Sequence, residues 1–351
     1  MIRWEIPNQI IISMLYVVII FLWTAILLYL LLGGADFGAG IIELFTSRKN
    51  ERLTRRTMYK AIGPIWEANH MWLIITIVIL FVGFPAIYAT MSIHLHIPLL
   101  AMLLGIIARG TAFTFRHYDA VIDDMQTLYN RIFTWSSLIT PLFLGIIAGS
   151  AVSGHIDTQA TDFLSAYIFS WLNFFSVAVG FFTVTICGFL AAIYLIGETD
   201  NLKFRRHFIK KAQHMIIAAL SCGSLVFVAA GVEKIPLTAW IFGNAIGLLS
   251  ISAAGLSLIL LWYLLNKEKT RIIRLLAGFQ VTMILIATTF FHYPNIVNLK
   301  NGDHLSLIEQ QGHTKTIESL GWALIIGSIF ILPALFYLIY SFQKKNIAEH
   351  R

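Results

Sequence analysis

Polar and apolar positions in this chain alternate on the scale of whole helices. Nine apolar stretches can be marked, roughly 10–32, 65–83, 86–108, 131–150, 166–196, 208–230, 237–264, 274–291 and 320–342. Most meet or approach the ~20 apolar residues that carry a helix across a bilayer. Of the 25 Lys and Arg residues, 21 fall in the gaps after the first, third, fifth and seventh stretches and in the C-terminal tail; four lie elsewhere. Loops rich in Lys and Arg stay on the cytoplasmic side. The pattern predicts an all-α polytopic membrane protein with nine transmembrane helices, the N-terminus outside and the C-terminus inside. The longest polar stretch, Tyr293–Ser319, then lies outside as a short hairpin or irregular loop.

Composition agrees: 58% of residues are hydrophobic and only 12% charged. A soluble core has no need of nine uninterrupted apolar segments. The net charge of +7 would suggest nucleic acid in a soluble chain. Here the basic residues line the inner membrane face, where anionic lipids attract them, and no nucleic-acid partner is expected. Met1–Ile10 contains Glu5 and Pro7 and lacks a positive leader region, so the first segment is read as retained. Cys187 and Cys222 both fall within spans and read as small apolar packing residues.

A weak echo runs through the chain. Segment one leads into a linker with Arg55-Arg56 and segment five into one with Arg205-Arg206, each pair shortly before the next span. Two parallel four-helix repeats plus one extra helix would produce this. The predicted organisation is a first repeat over 1–150, a second over 151–292, and an outer loop with the ninth helix over 293–351.

Three stretches depart from a plain anchor, all toward the inner face. The first runs Gly33-Gly34-Ala35-Asp36-Phe37-Gly38-Ala39-Gly40. A straight helix from Ile10 to Phe45 would be about 54 Å long, more than one upright crossing needs. The glycines permit a kink or close helix contact. Asp36 is either a hydrated interfacial carboxylate or a functional one. The second stretch, Ile62 to Leu73, holds Pro64, Trp66, Glu67, Asn69, His70 and Trp72. Glu67 lies about 10 Å deeper than Lys60 along a helix. Glu67 and His70 share one face at i, i+3, and intramembrane ionisable groups of this kind favour a functional reading over polar glue. Trp66 and Trp72 taken alone read as interface or packing aromatics. In the third stretch, Arg109 ends the third span; it snorkels to lipid phosphates, the commoner fate, or neutralises Asp36 or Glu67.

His94, His96, His214 and His292 sit in or at the ends of spans. They show no regular spacing for paired axial ligands, and CxxCH and CxxC motifs are missing. His94 and His96 cannot share a helix face. No haem or metal is therefore expected on this chain.

In this order and topology, the three stretches resemble subunit II of the cytochrome bd quinol oxidase family. The resemblance rests on Gly-Ala-Asp36-Phe-Gly38-Ala-Gly40, on Pro64-Ile-Trp66-Glu67-Ala-Asn69-His-Met-Trp72-Leu73, and on Arg109-x-x-x-Phe113-x-x-Arg116, which span the first third of the chain. The family commonly has Asp at Glu67, Gln at His70 and a second Asp at Gly33, so this chain reads as a somewhat divergent member. The resemblance implies two four-helix bundles plus a peripheral helix in a bacterial plasma membrane. It implies a partner, subunit I, that carries the quinol site and haems of b and d type, and also small single-span accessory subunits. The complex would oxidise quinol on the outer side and reduce dioxygen to water with cytoplasmic protons. Asp36, Glu67 and His70 would then serve the proton pathway, Arg109 would be the charge partner at the inner face, Trp66 would contact a structural quinone, and Trp72 would line an oxygen route. A secondary transporter is the alternative, disfavoured because the polar groups cluster at one end rather than at midplane. A haem-bearing cytochrome b-type subunit is weakened by the scattered histidines.

The charge bias has a direct test. Cysteines introduced by Asn50→Cys and Asn301→Cys are expected to react with an impermeant thiol reagent from opposite sides of the membrane. Labelling of both from one side would refute the topology.

Overall fold

The computed structural model describes residues 8–62, 66–118, 124–199, 202–267 and 270–348. The first seven residues, Pro64 and Asp119 lie outside these, as does the side chain of Glu67. Helix α1 (Asn8–Leu28) passes through a π-helical turn (Tyr29–Gly33) into α2 (Gly34–Leu44). A basic linker helix, α3 (Arg48–Ile62), leads to α4 (Trp66–Gly83), α5 (Pro85–His94), α6 (His96–Tyr118) and α7 (Asp124–Ser153). Short α8 (Phe163–Tyr167) precedes α9 (Phe174–Ile196) and α10 (Leu202–Val232). Short α11 (Leu237–Phe242) precedes α12 (Ala245–Leu265) and α13 (Thr270–Thr289). An antiparallel hairpin, β1 (Asn295–Asn298) with β2 (His304–Ser306), leads into α14 (Thr314–Ala348). Among the described residues, eight helices are long and apolar enough to cross a membrane, or nine if the bent pair α4–α5 is one broken span.

Three of the apolar stretches are not single helices, and each break has a local cause. The stretch 86–108 divides at Leu95. Pro98 has no N–H to give the His94 carbonyl, and the Ser170 hydroxyl donates to that oxygen instead at 3.1 Å. Proline at the first position of α5 follows a 114° turn out of α4. The stretches 166–196 and 237–264 are interrupted by Asn173 and Asn244. Their side-chain oxygens accept from the N–H groups of Ser176 and Gly247, at 2.8 and 2.6 Å, and so start α9 and α12 afresh. Of the kink or close helix contact that the glycines of the first stretch permit, the contact is formed: Met14–Leu44 runs as one span, and Gly38 abuts α9.

Helix α9 lies at the centre, packed against α2, α7, α10 and α13. Small residues make this possible. A Cβ at Gly38 would run into the Cys187 carbonyl and come within 2.7 Å of the Ala191 methyl, so glycine sets the α2–α9 approach. Outward faces are apolar: Leu256 and Ile259 on α12 and Phe330 on α14 are each at least 70% exposed, as lipid-facing side chains are. Polar groups gather at the end where α2, α6 and α9 finish and α3, α10 and α13 begin. There Lys211 donates to the Phe45 carbonyl, and Arg274 pairs with Glu198 at 2.7 Å.

Candidate functional site

Asp36 on α2 and Arg109 on α6 meet inside the helix bundle, each only 1% exposed. Arg109 Nη1 donates to Asp36 Oδ2 at 2.8 Å and Nη2 to Oδ1 at 2.7 Å. Nη2 also reaches the Asp36 carbonyl at 3.0 Å, and Nε donates to Ser137 Oγ of α7 at 2.9 Å. The planar fork matches the carboxylate on both oxygens, a geometry lysine cannot supply. The guanidinium also lies near the ring faces of Phe37 and Phe133, at 5.1 and 4.9 Å. Of the two fates open to Arg109, snorkelling is therefore not the one taken; it faces inward and neutralises Asp36.

A second pair repeats the arrangement seven residues on along both helices. Arg116 Nη1 lies 3.1 and 3.0 Å from the two carboxylate oxygens of Glu43, which is 4% exposed. Arg55 of α3 adds a bond to the same carboxylate at 2.9 Å and reaches on to Glu51 at 2.6 Å. Arg116 Nε donates to the Tyr59 hydroxyl at 2.6 Å. Burial holds the Tyr59 phenol above its ordinary pKa, so it stays protonated. Phe133 separates the two layers, with the Arg116 guanidinium 4.0 Å from its centroid. Glu43 and Arg116 had no role assigned from sequence, although the signal was present: the spacing Asp36 to Glu43 equals the spacing Arg109 to Arg116.

His70 on α4 approaches the first pair, with Nε2 3.9 Å from Asp36 Oδ2. That is too long for a hydrogen bond and is an ionic contact only when the ring is protonated. Its ring lies among Phe37, Tyr29 and Trp66, at centroid distances of 5.7, 6.2 and 6.3 Å. Trp66 also packs on Phe113 at 5.1 Å. Trp72 is buried with Tyr29 and Phe37 in one apolar cluster. The structure thus brings Asp36, His70, Trp66 and Arg109 into one layer with Trp72 beside it. The Glu67 backbone enters the same layer at the start of α4.

A cavity of about 360 Å³ lies elsewhere, at the opposite end. Glu233, Lys234, Trp240, His292 and His304 contribute to its wall. Burial, aided by His304, pulls His292 down to about 4, so it is neutral there. Three of the histidines already have close neighbours. His292 meets the Trp240 ring at 4.2 Å, His94 is bonded to the Ala166 carbonyl and stacked on Tyr167, and His70 is enclosed by aromatics. Among the described residues, no three His, Cys, Asp or Glu side chains are grouped to hold a metal ion.

The pairing of Asp36 and Arg109 predicts strong coupling. Removing one partner leaves a buried charge uncompensated, at a cost of about 3–5 kcal/mol. Arg109→Gln alone is expected to lower the thermal stability of the purified protein by that order, and Arg109→Gln with Asp36→Asn to recover at least half. Additive losses in the thermal unfolding of the two singles and the double would show that the pair is not coupled.

Comparison with known proteins places this chain in a family. The family model for cytochrome bd terminal oxidase subunit II matches residues 14–342. Cytochrome bd ubiquinol oxidase subunit 2 of Bacillus subtilis is 29% identical over 222 residues, covering 60% of this chain and 63% of that protein. Cytochrome bd-I ubiquinol oxidase subunit 2 of Escherichia coli K12 is 27% identical over 236 residues, covering 62% and 59%. The chain spans less than two thirds of the length of either relative. A solved structure of bd oxidase from Geobacillus thermodenitrificans superimposes with a TM-score of 0.75 over 94% of this chain and 98% of that one, at 18% identity, and so shows a shared fold. The apolar helices and these bacterial relatives make this a multi-pass protein of the bacterial plasma membrane, and the chain belongs to the cytochrome bd terminal oxidase subunit II family.

Proposed function

We propose that this chain is subunit II of a membrane-bound quinol oxidase of the cytochrome bd type, in which quinol oxidation is coupled to reduction of dioxygen to water. The family match across residues 14–342 carries this reading. In it, a partner subunit I holds the haems of b and d type and the quinol site, small single-span subunits accompany the pair, and this chain binds no haem. The N-terminus lies outside and the C-terminus inside, with nine spans arranged as two four-helix repeats (1–150 and 151–292) followed by the outer hairpin and a ninth helix. The charge bias supports that orientation, because it puts both buried ion pairs near the cytoplasmic face.

Oxygen reduction consumes protons, and this chain's part is to conduct them inward from the cytoplasm. Asp36, Glu67 and His70 form the conducting layer, in two distinct roles. Asp36 is clamped on both oxygens by Arg109 and stays in place as the fixed member of the layer. Its Oδ2 lies 3.9 Å from His70 Nε2 and attracts a proton carried on that ring, against the repulsion of the Arg109 cation on the same carboxylate. Glu67 and His70, one helical turn apart, are the groups that load and unload. Trp66, packed between His70 and Phe113, contacts a structural quinone, and Trp72 lines the oxygen route.

The test is made on the complex obtained with the tagged chain in mild detergent. It is expected to contain a haem-rich multi-span partner and to oxidise quinol with oxygen. Glu67→Gln, which keeps size and hydrogen bonding but removes the exchangeable acid, should slow oxygen consumption by roughly 100-fold with the complex assembled. A stable haem-free chain that binds a solute would overturn the oxidase reading. Normal turnover by assembled Glu67→Gln complex would remove Glu67 from the route.

A further inference from the structure

Tyr29 opens the π-helical turn that joins α1 to α2, seven residues before Asp36. Single π turns inside α-helices recur at functional sites. Here the turn ends at Gly33, where a Cβ would lie 2.9 Å from the Tyr29 ring. Glycine at that position leaves room for the phenol to fold along its own helix, and the phenol is 4% exposed. Its ring stands 6.2 Å from both Phe37 and His70.

Three polar atoms in this layer are buried and have no hydrogen-bond partner among the described residues: Tyr29 Oη, His70 Nδ1 and Trp72 Nε1. All three side chains surround Phe37. Tyr29 and Trp72 share its apolar cluster, and the His70 ring is 5.7 Å from it. Buried hydroxyl, imidazole and indole groups ordinarily have partners, and where protein supplies none, ordered water does. Around this one side chain, a phenol, a ring nitrogen and an indole N–H together offer water both donors and an acceptor.

We propose that Tyr29, His70 and Trp72 bind internal water on the membrane-centre side of the Asp36–Arg109 pair, and that the Tyr29 hydroxyl is a positioning residue carrying the proton route beyond His70. The inference rests on the proton-uptake reading above. In the transfer, protonated His70 gives its N–H proton to the water beside it, that water passes one of its own protons to Tyr29 Oη, and the phenol's original proton leaves to a further internal water. Water and phenol each form one O–H bond and break one, so both end neutral, His70 ends neutral, and the further water carries the proton onward. Tyr29 is suited to this because a hydroxyl both donates and accepts.

Tyr29→Phe keeps the ring against Gly33 and removes only the hydroxyl. In the intact complex it is expected to slow oxygen consumption roughly tenfold, less than the ~100-fold of a group that loads and holds the proton, since water can partly take its place in the relay. The solvent deuterium isotope effect on turnover should rise, which a packing defect would not produce. A high-resolution experimental structure of the wild-type complex should show water within hydrogen-bond distance of Tyr29 Oη. Unchanged turnover and isotope effect in assembled Tyr29→Phe complex, or a dry apolar surround at Oη, would overturn the proposal. The water is seen without turnover, so it decides the Tyr29 site even if Tyr29→Phe does not assemble. A wild-type complex that reduces no oxygen would instead sink the proton-uptake reading.

Discussion

A guanidinium and a carboxylate inside a membrane must meet each other or not be there. Removing either from water carries a desolvation penalty that their attraction offsets only when geometry is close and the remaining donors are bonded. Arg109 and Asp36 meet those conditions: two fork-to-carboxylate bonds, a third to backbone and a fourth to Ser137. Much of the surrounding structure follows from that demand. Arg109 reaches from α6 past α7 to α2, so Phe133 and Phe37 flank it. On its other side α2 closes on α9 through Gly38, which keeps Asp36 away from lipid and water alike.

The two acid–arginine layers differ in their connection to solvent. Glu43 and Arg116 are joined through Arg55 to Glu51, whose side chain is 39% exposed, so that layer ends in water. Asp36 and Arg109 lie seven residues deeper on each helix, and their neighbours on the far side are His70, Tyr29 and Trp72. Arg109 holds the Asp36 carboxylate by two charge-assisted bonds, which fixes the pair in place. On this account the exchangeable groups are those beside the pair, and the pair's own contribution is a constant local field.

The spans were largely legible from sequence because uninterrupted apolar runs and basic gaps each reflect one strong constraint, hydrocarbon on one hand and surface charge on the other. The breaks at Leu95, Asn173 and Asn244 were less so. An apolar run conceals a capping asparagine, and the effect of Pro98 depends on Ser170, more than 70 residues away, accepting the role of donor. At the site, Asp36, His70 and Arg109 stood out as ionisable groups in apolar sequence. Their pairing did not, since an arginine at a span's end reaches lipid phosphate as readily as a buried acid when only one helix is considered. Glu43 was hidden for a related reason: near the end of an apolar run it resembled an interfacial residue, whereas α3 folds back and covers it. Tyr29 carried no signal in sequence, because its orphaned hydroxyl is defined by what surrounds it.

The central claim is that the layer around Asp36 and His70 conducts protons from the cytoplasmic side during oxygen reduction. The most direct measurement is proton uptake from that side of vesicles holding the oriented complex, followed during a single turnover started by oxygen, with wild-type chain and with His70→Phe. The account predicts that His70→Phe, which keeps a ring among Phe37, Tyr29 and Trp66 but cannot hold a proton, slows uptake while electron entry from quinol is unchanged. Uptake at the wild-type rate by assembled His70→Phe complex would contradict it.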